Sequence, residues 1–395
     1  MLRNIKLFYY LILIIISINI LNSYIIIPFK STNENYNLTY DNSSDFTSKF
    51  KKEINNNKLY AKISLGEPKK DAIFFFTMND YFGLLMNTCP KRMISLYNPY
   101  KSKTFTYDPE STCTYYDLLK AKIGNDNFSF YNNKQMKENF IINLDILVDN
   151  QTYSSNDYEL GTYCGKIGLI IRDYYPSYYV NFIIYLKKKN IIQSYQWGIF
   201  FFNENKNYNI NKEIQNNYNG FYIVGITEND YLNIFNNNII YNTYIENPIY
   251  IKIGGKFDKI YFKYLNNIIN CSEITNFEID IEKNYITCPE DYRENIKNYY
   301  FNKHFENDKC KEIVSLDKFY RDDNMIICNL NIKEELKNFP KLYLPYRELN
   351  SIFFLDYKDL FIEINNKIYF LVIHPQRINL SEFRTNFGQK IFIYV

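Results

Sequence analysis

The sequence predicts an all-β fold arranged as two lobes, and three observations carry that expectation. Short apolar or alternating runs recur between turns rich in Asn, Asp and Gly, the pattern of strands joined by tight connections. Helical stretches are few. The chain has 395 residues, 46% of them hydrophobic, which supports two cores or one two-lobed body. The 41 Tyr and 32 Phe against 12 Gly and 11 Pro push the same way, since aromatic and β-branched side chains favour strands. Asn, Lys, Ile, Tyr and Phe are abundant together, as AT-rich coding dictates, so the tyrosines are not read as a recognition surface.

In chain order, Arg3 and Lys6 precede an apolar run from Leu7 to Leu21, followed by Asn22 and Ser23. That is the layout of a signal peptide over residues 1–23, which places the chain in the secretory pathway, as a secreted, lumenal or cell-surface protein. The alternative is an uncleaved signal anchor, the one membrane attachment the sequence offers. Residues 24–58 read as a flexible or propeptide-like lead, because Ser31 to Asn57 is rich in Asn, Ser, Thr and Lys. Order is expected from Leu59, where Leu59 to Gly66 alternates apolar and polar residues, Glu67 to Lys70 turns, and Asp71 to Phe76 returns as a hairpin partner.

Further strands are expected at Phe140 to Val148, Lys166 to Ile171, Trp197 to Phe202, Gly220 to Gly225 and Ile249 to Ile253. Helices are expected at Tyr178 to Leu186, Asp291 to Asn302 and Lys333 to Asn338. The Asn-rich run from Asn203 to Asn219 reads as a low-complexity surface insertion. No repeat with a period of about 20 to 50 residues stands out, which disfavours a solenoid or propeller.

The 46 basic and 43 acidic residues are interleaved, for a net charge of +3. They give no electrostatic footprint for nucleic acid. The seven cysteines, Cys89, Cys113, Cys164, Cys271, Cys288, Cys310 and Cys328, suit an oxidising compartment and leave at least one unpaired. They form no CxxC pair, and the two histidines, His304 and His374, stand apart. A metal site is therefore not expected, nor is a Ser-His-Asp or Cys-His mechanism, and no cofactor is implied. Glycosylation sequons fall at Asn37, Asn42, Asn127, Asn150, Asn270 and Asn379.

Several segments then line up in one order. Leu59 to Pro68 combines an opening strand with a Gly-x-Pro turn, and Phe74 to Phe76 is an apolar strand leading out of it. Ser95 to Phe105 is similar to a Phe-x-Pro-x-x-Ser-x-Thr-Phe pattern, and Gly165 to Leu169 to a buried Gly-Ile-Leu-Gly-Leu strand. Tyr174 to Trp197 follows as a helix and return, then Gly220 to Gly225, Ile251 to Gly255 and Phe339 to Pro345; Phe383 to Val395 matches only loosely. In this order they resemble the pepsin-like aspartic peptidases over nearly all of the chain after residue 58. The resemblance implies a bilobal pepsin-like fold of two six-stranded β-barrel lobes with a central cleft. The first lobe would occupy residues 59–220 and the second 221–395.

That family's chemistry needs two carboxylates sharing a proton, each in an Asp-[Thr/Ser]-Gly-[Thr/Ser] loop. The resemblance places the second loop at Asp280 to Pro289, whose spacing equals the family's, with Ile281 at the hydroxyl position and Glu282 at the Gly position. At the first loop it places Thr77 at the aspartate position, Met78 at the Thr and Asn79 at the Gly. Thr77 stays neutral at any working pH and cannot share a proton with Asp280, and losing one member of a concerted set costs on the order of 10⁴ or more in rate. Asp80 lies three residues beyond the expected position, and Tyr115 to Tyr131 lacks the family's flap signature. The resemblance also implies that Cys89 pairs with Cys113, while Cys310 and Cys328 enclose a hairpin of the second lobe; Cys164, Cys271 and Cys288 stay unassigned.

The function these readings imply is a secreted homologue that is catalytically inactive and binds a peptide or protein in its cleft. Two alternatives stand beside it. One is an active aspartic-type endopeptidase with an atypical site, and the other is a non-catalytic surface or adhesion protein.

Overall fold

The computed structural model describes residues 24–32, 38–40, 45–56, 58–78, 81–86, 93, 95–115, 119–131, 139–149, 163–169, 181–202, 210, 212–227, 234, 254–271, 275–279, 281–288, 290–313, 325–346, 351–373 and 384–387. The chain is mostly β and divides into two compact units, one built from residues 1–31 and 59–239, the other from 32–58 and 240–395. The signal-peptide segment, the expected strand Ile249 to Ile253 and His374 lie outside the described residues. No helix among those residues is long and apolar enough to cross a membrane.

The first unit contains β1 (Ile25–Ser31), β2 (Leu59–Leu65), β3 (Lys70–Thr77), β4 (Phe82–Met86), β5 (Thr106–Tyr115), β6 (Leu119–Tyr131), β7 (Asn139–Asp149), β8 (Tyr163–Gly168), β9 (Trp197–Phe201) and β10 (Gly220–Val224). They make one sheet in the order β5-β6-β7-β4-β8-β3-β2-β1-β10-β9, and β6 also pairs with β2. That extra pairing, Ser64 to Ser129 and Leu65 to Phe128, closes β6, β7, β4, β8, β3 and β2 into a six-stranded barrel. Closure gives each of these six strands a hydrogen-bonded neighbour on both sides.

The expected hairpin is present, with Leu65 opposite Lys70 and Tyr60 opposite Phe75. On β2, Leu59, Ala61, Ile63 and Leu65 are buried in strict alternation, whereas Ala72 to Thr77 on β3 are all buried. The barrel core holds Phe74, Phe82, Phe128 and Phe182, with ring centroids 5.5 Å apart for Phe74 and Phe82, 5.3 Å for Phe82 and Phe128, and 4.9 Å for Phe82 and Phe182. Phe182 belongs to the helix Phe182–Lys188, whose first turn is capped by the Asn181 side chain.

The second unit contains β11 (Gly254–Phe257), β12 (Tyr261–Tyr264), β13 (Asn267–Asn270), β14 (Thr275–Ile279), β15 (Ile286–Thr287), β16 (Cys310–Ile313), β17 (Met325–Asn329), β18 (Leu342–Tyr346), β19 (Ser351–Leu355), β20 (Phe361–Ile364), β21 (Lys367–Phe370), β22 (Val372–Ile373) and β23 (Arg384–Phe387). Seven of these form one sheet, four more form the sheet β16-β17-β21-β20, and β15 runs parallel to β22. The expected helix near Asp291 is Glu290–Ile296, continued by a π-helical turn, Lys297–Phe301, and by Asn302–Glu306. Phe301, Phe339, Phe361 and Phe370 pack together at 4.9 to 6.4 Å between ring centroids.

Two sequence expectations are corrected. Residues 24–58 are not simply a flexible lead. Ile25 to Phe29 pair with β10 in full register, from Ile25 opposite Val224 to Phe29 opposite Gly220. The helix Phe46–Ile54 then buries Phe46, Phe50 and Ile54 among Tyr285, Met325, Ile327, Tyr369 and Leu371. Apolar residues four apart give that helix one buried face, and the Asn-rich residues around it hide the pattern. The second correction concerns Asn203 to Asn219, of which Lys212–Asn217 is a helix with Ile214 buried.

Candidate functional site

β3 ends at Thr77, the residue that the resemblance sets at the first-aspartate position, after a run of buried residues from Ala72 onward. There it lies opposite Gly168 of the parallel strand β8. Leu169 donates its N–H to the Thr77 carbonyl at 3.1 Å, and Gly168 donates to the Tyr81 carbonyl at 2.8 Å. Thr77 and Tyr81 are thus both tied to one strand end, Gly168 and Leu169. Gly165 on the same strand permits this close packing, because a Cβ there would lie 2.1 Å from the Phe74 ring. The segment Gly165 to Leu169, singled out in the sequence, therefore lies directly beside Phe74 to Thr77.

The Thr77 side chain is 4% exposed, and its Oγ1 has no hydrogen-bond partner among the described residues. Its neighbour Phe76 packs against Phe29 at 5.9 Å and Tyr222 at 5.3 Å between ring centroids. Thr77 thus presents a buried neutral hydroxyl, which can neither ionise nor take a proton from water near neutral pH. Asn79 and Asp80 lie outside the described residues.

A second element of the resemblance docks beside the barrel. Tyr97 donates its hydroxyl to Asp126 Oδ2 at 2.5 Å, and Thr104 donates to the other carboxylate oxygen. Asn127 N–H adds a bond of 2.8 Å to Asp126 Oδ1. Asp126 is fully buried on β6, and these donors replace its lost water. Burial and the Asp126 contact push the Tyr97 hydroxyl far above its ordinary range. Gly66, at φ +70°, sits where a Cβ would lie 2.3 Å from Ser102 Oγ, so the turn requires glycine twice over. The Ser95 to Phe105 segment is therefore a docking element for the first turn, a role the sequence alone did not assign to Asp126.

In the second unit β14 ends at Ile279, between β11 and the parallel strand β23. Asp280, which the resemblance sets at the second-aspartate position, lies outside the described residues. Ile281 is buried at 2% exposure, and Glu282 is half-buried. The loop from Ile281 to Cys288 is held by the N-terminal helix. Asn284 donates its backbone N–H to Asn55 Oδ1 at 3.2 Å and its side-chain amide to the Ile54 carbonyl at 2.6 Å. Lys51 lies over the Tyr285 ring at 5.6 Å, and burial together with Lys283 lowers its pKa to about 8. Sequence reasoning missed this anchor. The spacing of Phe46, Phe50 and Ile54 was its only available signal.

Cys310 and Cys328 face each other across β16 and β17 and are joined by a disulfide. Cys164, unassigned from the sequence, is also disulfide-bonded. Cys89 and the side chain of Cys113, the pair that the resemblance implies, lie outside the described residues. Cys271 and Cys288 are buried thiols, and burial pushes both up to about 12. Of the sequons, Asn127 lies on β6 and accepts a bond from Asn143 at 3.3 Å, and Asn270 is exposed on β13. Asn37, Asn42, Asn150 and Asn379 lie outside the described residues. No protein-family model matches the sequence, and no curated protein matches it either.

Proposed function

We propose that this chain is a secreted homologue of the pepsin-like aspartic peptidases that binds an extended peptide or protein segment and does not cleave it. One observation carries the reading: Thr77, which the resemblance sets at the family's first-aspartate position, ends β3 with a buried hydroxyl that has no hydrogen-bond partner among the described residues. A single remaining aspartate cannot act as base toward water and as acid toward a carbonyl at once. The closed six-stranded barrel of the first unit and the buried strand Tyr163–Gly168 behind Thr77 agree with the bilobal pepsin-like fold that the resemblance implies. The disulfide Cys310–Cys328 agrees with passage through the secretory pathway.

The test is selection from a random peptide library displayed on phage, at neutral pH and again at about pH 5, the acid range in which the family's carboxylate pair works. Saturable enrichment of extended sequences, recovered uncut, supports the reading. Recovery of no peptide, together with binding of whole cells through an exposed surface, favours the surface-protein alternative. Recovery only of cut peptides favours an active enzyme.

A further inference from the structure

The second unit holds a cavity of about 290 Å³ on one face of the sheet β16-β17-β21-β20. Register explains its chemistry. Lys309 and Lys311 flank Cys310, Lys311 lies opposite Ile327, and Asn329 lies opposite Lys367. Alternation along the strands puts these side chains on the same face as Tyr369. Phe46 and Phe50 cover Tyr369, with ring centroids 6.1 and 4.9 Å away. Beyond the edge of that cover, with Tyr40 as its wall and Ile327 as its apolar floor, the face opens into the cavity.

Three lysines and one carboxylate, that of Asp308, line it. Lys309 is shared with Glu335 at 2.7 Å. Lys367 donates to the neutral Asn329 Oδ1 at 2.6 Å and lies 5.7 Å from the centre of the Tyr40 ring. Lys311 is exposed, and among the described residues neither it nor Lys367 lies within ion-pair distance of a carboxylate. The Asn329 side-chain amide, which donates to the Asp308 carbonyl at 3.1 Å, fixes the far edge. Two lysines that line one concave site, without a carboxylate partner among the described residues, attract an anion in a way that positive charge scattered over the surface does not.

The geometry points to a binding site for a phosphoryl group in this cavity, held by Lys311 and Lys367 with Lys309 alongside. The ligand is either free phosphate or a phosphate monoester, both of which present the same tetrahedral dianion. The site is independent of the peptide-binding reading, since none of its residues belongs to either loop of the aspartate positions.

Isothermal titration of the full chain with inorganic phosphate and, separately, with phosphoserine tests it, at constant ionic strength set by chloride. Saturable binding of one equivalent is expected, weakened about tenfold in Lys311→Gln and lost in the double variant Lys311→Gln, Lys367→Gln. Binding of both probes supports a phosphate monoester as the source, and binding of phosphate alone supports the free anion. No saturable heat with either probe overturns the site, and so does an affinity unchanged in Lys311→Gln. Lys311 is exposed, so its variant is expected to keep the wild-type unfolding midpoint even if Lys367→Gln does not fold.

Discussion

Asn284 donates its side-chain amide to the backbone carbonyl of Ile54, 230 residues earlier in the chain, at 2.6 Å. The segment Ile281 to Cys288 is therefore fastened to the C-terminal end of the helix Phe46–Ile54, whose apolar face completes the core around Tyr369. Phe50→Ala should destabilise the chain by about 3–5 kcal/mol, the usual cost of emptying a fully buried aromatic site. Urea unfolding measures this. A loss below about 1 kcal/mol would mean that the helix is dispensable.

The hydroxyl of Thr77 is buried without a partner among the described residues, and such a group costs about 1–3 kcal/mol relative to one that is bonded. Thr77→Val keeps the shape and removes the polar atom. It should leave stability unchanged or raise it by about 1 kcal/mol. A clear loss in denaturant unfolding would show that the hydroxyl is bonded after all.

His304 is 2% exposed, and its Nε2 has no hydrogen-bond partner among the described residues. Burial and then Lys303 lower its pKa below 6.5, against the weaker pull of Glu335, whose Oε2 is 3.8 Å from Nδ1. The unfolded state therefore takes up this proton first as pH falls. Stability is fully present above pH 6.5 and declines as pH drops through the interval down to the folded value. His304→Gln should flatten the urea midpoint between about pH 7 and 5 relative to the parent chain. An identical slope in the two proteins would contradict the assignment.

The disulfide Cys310–Cys328 closes a loop of 18 residues. Replacing both cysteines with Ala should cost about 2–4 kcal/mol. Thermal unfolding of the variant beside the parent chain decides it, and equal midpoints would show that the bond does not form in the folded protein.

Legibility in the sequence followed the range of the interactions. The hairpin β2–β3 is a local matter of alternation and a turn, and the strands Trp197–Phe201 and Gly220–Val224 stand out as apolar runs. The strand Ile25–Ser31 did not, because it falls within residues 24–58, whose polar majority reads as a flexible lead, and only the distant partner Gly220–Val224 makes it a strand. Likewise the sequence marked Ser95 to Phe105 as a motif. What it does, offering Tyr97 and Thr104 to Asp126, depends on a pairing 29 and 22 residues away along the chain. Thr77 was legible through resemblance alone, and its lack of a hydrogen-bond partner only through the three-dimensional packing.

The most direct measurement is cleavage of a diverse peptide library by the purified chain between about pH 3 and 7, with Asp280→Ala as the control. The account predicts no cleavage above that control at any pH, because Thr77 supplies no carboxylate to pair with Asp280. Cleavage that disappears in Asp280→Ala would contradict it and require a second carboxylate at the reacting centre.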